Sequence, residues 1–135
     1  MVSFESLRAT LAADTALTNC HVIENQKLIM VLDEAMTQPL KASVSNADRS
    51  SDRCFLKIDG GSLDPIAAVS RFKDLSVGER VYTIGNPSGL SKKLGEGLIS
   101  GLREHNDIRY VQTTAPISSG SSGGALVDSK GALVG

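Results

Sequence analysis

Apolar positions in this chain fall in short runs separated by polar turns. Lys27 to Leu32, Cys54 to Ile58, Ile66 to Val69, Arg80 to Ile84, Gly97 to Leu102, Ile108 to Gln112, Ala125 to Val127 and Ala132 to Val134 are rich in Val, Ile and Leu. Each run is too short for a helix and suits a strand. Between them lie Asp59-Gly60-Gly61, Gly85-Asn86-Pro87-Ser88-Gly89, His105-Asn106-Asp107 and Asp128-Ser129-Lys130-Gly131, all rich in turn formers. Strand, turn and strand again predict an all-β barrel or sandwich. One segment reads differently: Phe4, Leu7 and Leu11 recur at helical spacing and Ser3 can cap them, so a helix is expected within Met1 to Thr15. Neither a repeat nor a Pro-rich or charged linker divides the chain, and a boundary between two portions is expected near Gly60 to Val77, where Pro65 and polar residues cluster.

Composition narrows the function classes. With 135 residues, 41% hydrophobic and 21% charged, the chain matches one ordinary globular domain, and its 13 glycines agree with many turns. The formal net charge is −1 and the basic residues are scattered, so nucleic acid and an anionic membrane surface are not expected partners. No apolar run approaches the roughly 20 residues that span a bilayer, and no basic segment followed by an apolar run opens the chain, so no membrane segment or signal peptide is read in it. Cys20 and Cys54 are too few for a disulfide scaffold and lack metal-ligand spacing, so zinc is not supported.

Candidate chemistry centres on Pro116-Ile117-Ser118-Ser119-Gly120-Ser121-Ser122-Gly123-Gly124-Ala125-Leu126-Val127, which sets a serine between glycines ahead of an apolar strand. A flexible Gly/Ser linker shares that composition. A nucleophilic serine needs it too: a tight turn must expose the hydroxyl and leave backbone N–H groups free to face a developing oxyanion. Thr18-Asn19-Cys20-His21-Val22-Ile23 places a histidine at the edge of an apolar segment, and Asp52 stands at the start of the strand that continues through Arg53-Cys54-Phe55-Leu56-Lys57-Ile58. Alone, His21 reads as a structural histidine and Asp52 as turn chemistry. Together the chain presents His, Asp and Ser in an order known for catalytic triads.

Five blocks carry a family resemblance: Thr18 to Ile23, Asp52 to Ile58, Val81-Tyr82-Thr83-Ile84-Gly85-Asn86-Pro87-Ser88-Gly89, Gly97-Leu98-Ile99-Ser100-Gly101, and Gly120 to Val127. In this order they resemble the trypsin-like serine proteases, in particular the bacterial HtrA/Deg-type branch. The resemblance implies an all-β fold of two perpendicular six-stranded barrels with the site between them. Residues 1–65 would be the first-barrel portion with His21 and Asp52, and residues 66–135 the second with Ser122. It further implies a serine endopeptidase that acts on polypeptides through an acyl-enzyme, without cofactor or metal. Ser122 would be the nucleophile, His21 the general base and acid, and Asp52 the residue that orients the imidazole.

By the same resemblance, the N–H groups of Gly120 and Ser122 form the oxyanion hole, and Pro116, Ile117, Ser118 and Ser119 begin the specificity pocket. None of those four is acidic, which favours a small or medium apolar residue at the cleavage site over Lys or Arg. A non-catalytic homologue that binds or scaffolds is the alternative. His105, in a polar turn, is given no role. Because the implied triad brings His21 to Asp52, Cys20 and Cys54 come near disulfide range; a bond and two reduced buried thiols are both open readings. A bond and the resemblance would both favour a periplasmic or secreted setting. Few residues precede His21, and the chain stops at Gly135 where the family continues, so barrels incomplete at both ends are expected, with association through unpaired strand edges.

Overall fold

A computed structural model describes residues 2–5, 9–32, 37–60, 63–85, 93–118 and 120–135. The strands are β1 (Val2–Glu5), β2 (Ala9–Ala12), β3 (Thr15–Asn19), β4 (Ile29–Leu32), β5 (Leu40–Asp48), β6 (Arg53–Ile58), β7 (Arg80–Gly85), β8 (Lys93–His105), β9 (Ile108–Thr113) and β10 (Ala125–Asp128). The helical content of the described residues is one turn, α1 (Cys20–Ile23), and a 3-10 turn at Phe72–Asp74. Strands β1-β4-β5-β6-β3-β2 form a six-stranded sheet and β10-β7-β8-β9 a four-stranded one. Both curl into half-barrels, as the all-β reading implied.

Among the described residues, the helix expected near the N-terminus is absent; Val2–Glu5 and Ala9–Ala12 are the strands β1 and β2, and Leu7 lies outside the described residues. β1 pairs in parallel with β4, and β2 pairs antiparallel with β3. A helix this short is marginal by itself, whereas pairing on an existing sheet satisfies the backbone groups along one edge of each strand. β5 is also unanticipated. Its sequence, Leu-Lys-Ala-Ser-Val-Ser-Asn-Ala-Asp, buries only Ala42, and what keeps it extended is its place between β4 and β6. Conversely, Ile66 to Val69 and Ala132 to Val134 form no strands. They meet each other in one isolated bridge, Val69 to Leu133, with Ser70 N and Leu133 N donating at 2.8 Å to Leu133 O and Ala68 O, and Leu133 makes a second bridge to Val127 of β10.

The β8–β9 hairpin closes through Asn106 and Asp107 at φ 51° and 61°. Left-handed conformation at both central residues is what a two-residue hairpin turn requires, and Asn and Asp tolerate it. Each sheet carries its own core. Ala16, Cys20, Ile23, Ile29, Val31, Ala42, Cys54, Leu56, Ile58 and Leu63 pack together in the first, and Leu75, Val81, Ile99, Ala115 and Leu126 in the second.

Candidate active site

β3 and β6 run antiparallel, with Thr18 opposite Cys54 and Asn19 opposite Arg53. That register brings the end of β3 against the start of β6, so the residues just beyond each strand end meet. Beyond β3 comes α1 with His21; ahead of β6 comes Asp52, which closes the turn after β5 rather than opening the strand itself. Asp52 has φ 54°, a left-handed conformation that an aspartate accepts at modest cost. The turn is tied by Asp48. Its Oδ1 accepts from Ser50 Oγ at 2.6 Å and from Ser51 N at 3.3 Å, and its Oδ2 from Ser51 Oγ at 2.5 Å and Arg53 Nη2 at 2.9 Å.

The Asp52 carboxylate grips His21 at two points. Oδ1 accepts the His21 backbone N–H at 2.9 Å, and Oδ2 lies 2.5 Å from His21 Nδ1. The Asp52 carbonyl is held from the same side, by Asn19 Nδ2 at 3.0 Å and Cys20 N at 3.2 Å. A carboxylate on Nδ1 places the ring proton there, which leaves Nε2 as the basic nitrogen. Burial pushes the Asp52 carboxyl up, but hydrogen bonds from the His21 ring and backbone, the His21 charge and the Cys20 N–H outweigh it and hold the group below the usual carboxylate range. Asp52 therefore stays ionised at neutral pH. The pair is not deeply buried: its side chains are 54% and 41% exposed. Beside it, Cys20 and Cys54 are joined in a disulfide, with Cα atoms 4.9 Å apart.

Ser122 belongs to the other sheet, on the turn that leads into β10, and it is exposed. Ser121 N donates to Ser118 O and Gly124 N to Ser121 O, both at 2.9 Å, and Gly120 and Gly123 take φ 92° and 84°. A Cβ at Gly124 would stand 2.9 Å from the carbonyl oxygens of Ile84 and Ser121, so glycine is needed for the turn to lie on β7. Among the described residues, neither the Gly120 nor the Ser122 N–H has an acceptor, and Ser122 Oγ makes no hydrogen bond to the His21 ring. The structure thus joins His21 to Asp52 directly and leaves the serine hydroxyl and the two N–H groups uncommitted.

Pro116, Ile117 and Ser118 line a cleft of about 1320 Å³ that also takes in Thr83, Ile84 and Gly95; Ser119 lies outside the described residues. The segment is seated by two glycines of β8. A Cβ at Gly95 would come 2.7 Å from Pro116 Cγ, and one at Gly97 2.1 Å from Ala115 N. The charged lining residues include Asp107, Lys93, Arg53 and Arg109, while Pro116, Ile117 and Ser118 carry none. His105 sits exposed at the end of β8, away from the bonds of the site described above. Among the described residues, no three His, Cys, Asp or Glu side chains are gathered to hold a metal, and no helix is long and apolar enough to cross a membrane.

Two contributors were not singled out from the sequence. Asn19 was visible only as part of a block, because nothing in its neighbours signals that its amide would reach Asp52. Asp48 had a legible signal, an aspartate followed by Ser50 and Ser51, a common turn-capping pattern.

Residues 9–135 match the trypsin-like peptidase domain family, and the chain belongs to that family. Its relatives are of the HtrA type. It is 37% identical over 123 residues to the "Probable periplasmic serine endoprotease DegP-like" of Pseudomonas fluorescens, and 35% identical over 127 residues to serine protease HTRA4 of Mus musculus. Each match covers 88% of this chain, and the chain spans about a quarter of the length of these curated relatives, 25% and 26%. Among solved structures it is similar to the HtrA-type protease AlgW with tripeptide, with a TM-score of 0.86 and 30% identity, covering 95% of this chain and 44% of that one. It is similar also to Deg5, with a TM-score of 0.80 and 31% identity, covering 95% and 70%.

Proposed function

We propose that this chain is the catalytic portion of a serine endopeptidase, with residues 1–65 supplying the base and its orienter and residues 66–135 the nucleophile. The two-point contact between Asp52 and His21, with Nδ1 at 2.5 Å, carries the reading. Serine is a weak nucleophile until a base takes its proton, and an imidazole with a free Nε2 is suited to that near neutral pH. Ser122 Oγ attacks the peptide carbonyl while His21 Nε2 takes the hydroxyl proton. The resulting oxyanion is received by the N–H groups of Gly120 and Ser122. His21 then gives the proton to the leaving amine as the C–N bond breaks, and an acyl-enzyme remains. Water, deprotonated by the same nitrogen, adds to the ester carbonyl; the C–Oγ bond then breaks, the carboxylic acid product leaves, and His21 returns the proton to Ser122 Oγ. Asp52 stays ionised throughout and stabilises the imidazolium.

Polypeptide substrates follow from this chemistry and agree with the peptide complexes of the HtrA-type neighbours. The uncharged Pro116, Ile117 and Ser118, with Ser119, favour a small or medium apolar residue on the acyl side, since an unpaired Lys or Arg there would lose its solvation. One observation favours a second reading, a homologue that binds peptides without cutting them: Ser122 and His21 are not hydrogen-bonded to each other. An unliganded site often has such a gap. Labelling with a fluorophosphonate separates the two. The folded wild-type protein is expected to label and Ser122→Ala not to; a folded wild type that resists the probe would leave only the binding reading. A peptide-library profile dominated by cleavage after Arg or Lys would refute the pocket assignment.

A further inference from the structure

The reaction above uses neither Cys20 nor Cys54, yet their bond lies between the two segments that carry the proposed base and its orienter. Cys20 immediately precedes His21, and Cys54 follows Asp52 by two residues. We propose that the Cys20–Cys54 cross-link is a positioning element of the active site, one that sets the His21–Asp52 pairing in addition to bracing the first sheet. The proposal rests on the triad assigned under Proposed function.

Three observations lead to it. First, α1 is a single turn, and its preceding residue Asn19 makes no side-chain cap bond. One turn of helix has no stability of its own. Its orientation comes from the burial of Ile23 in the first core and from its tethers to β6 and the turn before it, which are the disulfide, the Cys20 and His21 N–H groups on Asp52, and the Asn19 amide. Second, β3–β6 pairing ends at Asn19 and Arg53, so the sheet ladder does not reach His21 or Asp52. Third, the anchor and the pair differ in burial. Cys20 and Cys54 are 4% and 2% exposed and pack in the first core, whereas His21 and Asp52 are half open to water. A hydrogen-bonded pair half open to water gains little net stability, because water competes for both partners. A buried covalent link one residue from His21 and two from Asp52 supplies the constraint that the pair cannot, and productive geometry is sensitive to displacements of about 1 Å.

The test compares oxidised and reduced protein, with thiols counted by alkylation and mass. Three quantities are read: the rate at which fluorophosphonate labels Ser122, the low-field proton resonance of His21 Nδ1–H, and far-UV circular dichroism. Reduction is expected to preserve the dichroism, slow labelling on the order of tenfold, and broaden or abolish the low-field resonance. Cys20→Val/Cys54→Ala, which refills the buried space without a bond, is expected to behave as the reduced protein whether or not reductant is present. It also decides the matter if reduction alone unfolds the chain. Folded reduced protein, or a folded double variant, with unchanged labelling and an unchanged resonance would overturn the proposal. Because the resonance does not depend on Ser122, an oxidised protein that fails to label would refute the serine-protease reading while the cross-link is still judged.

Discussion

The two halves of the molecule are held by different means. Around the first sheet, ten buried side chains among the described residues form a continuous core that includes the disulfide, and at its edge Asp52 accepts four hydrogen bonds from Asn19, Cys20 and His21. Around the second, five buried side chains among the described residues form the core, and Leu126 lines the cleft. The Ser122 turn depends on local bonds between Ser118, Ser121 and Gly124 and on glycines that let the chain lie close to β7 and β8. The contrast suits the assigned roles. A base must be oriented before substrate arrives, because its tautomer decides which nitrogen is free. A nucleophile loop must leave its hydroxyl and N–H groups unpaired, so it cannot be tied down through them.

The comparison is most severely tested by removing the acid–base pair. Asp52→Asn is expected to lower kcat by about 10⁴-fold, as when an orienting carboxylate is lost elsewhere in triad chemistry, and steady-state hydrolysis of a peptide ester measures it. A loss under tenfold would mean that the two-point grip on His21 is not what prepares the base. Next come the cores. Leu56 is 1% exposed within the first, and Leu56→Ala should cost about 3 kcal/mol by urea unfolding. Leu126 is 9% exposed and lines the cleft, so Leu126→Ala should cost nearer 1.5 kcal/mol. Equal costs would erase the difference between the halves. Gly97→Ala should destabilise by about 1–2 kcal/mol, because the new methyl meets Ala115 N at 2.1 Å, and it should lower kcat/KM by displacing Pro116.

The smallest expected effect is in acid. Hydrogen bonds from Ser50, Ser51 and Arg53 hold the Asp48 carboxyl well below the usual carboxylate range, and Asp14 is lowered by Lys57 and Thr15. With the folded value below the unfolded one, each group stabilises the fold above roughly pH 4 and loses that contribution as pH falls through the folded value. Asp48→Asn should therefore flatten the fall in stability on acidification from pH 5, as followed by urea midpoints. An unchanged acid limb would show that the turn before Asp52 does not need its carboxylate.

Most strands were legible because β4, β6, β7, β8, β9 and β10 each contain a short aliphatic run, and burial of alternate residues selects that pattern. β5 was not, since a polar strand is extended by its neighbours rather than by its own side chains. At the N-terminus, apolar residues at helical spacing misled because pairing with β3 and β4 outweighs the weak preference of so short a segment. Ile66 to Val69 and Ala132 to Val134 had strand composition but run beside a partner too briefly to extend a ladder, and they made single bridges.

The candidate site divides along the same line. Residue types carry their chemistry with them, so a serine among glycines, a histidine ahead of an apolar segment and an aspartate before a strand were recognisable in the chain, and their order suggested the family. Which atoms meet is a matter of register and backbone handedness. Asp52 contacts His21 through both carboxylate oxygens because β3 ends opposite the start of β6 and Asp52 is left-handed. Asn19 acquires its part because that same register turns its amide onto the Asp52 carbonyl. Such contacts join residues more than thirty positions apart, and local sequence does not encode distances across that span; packing of the two strand ends does.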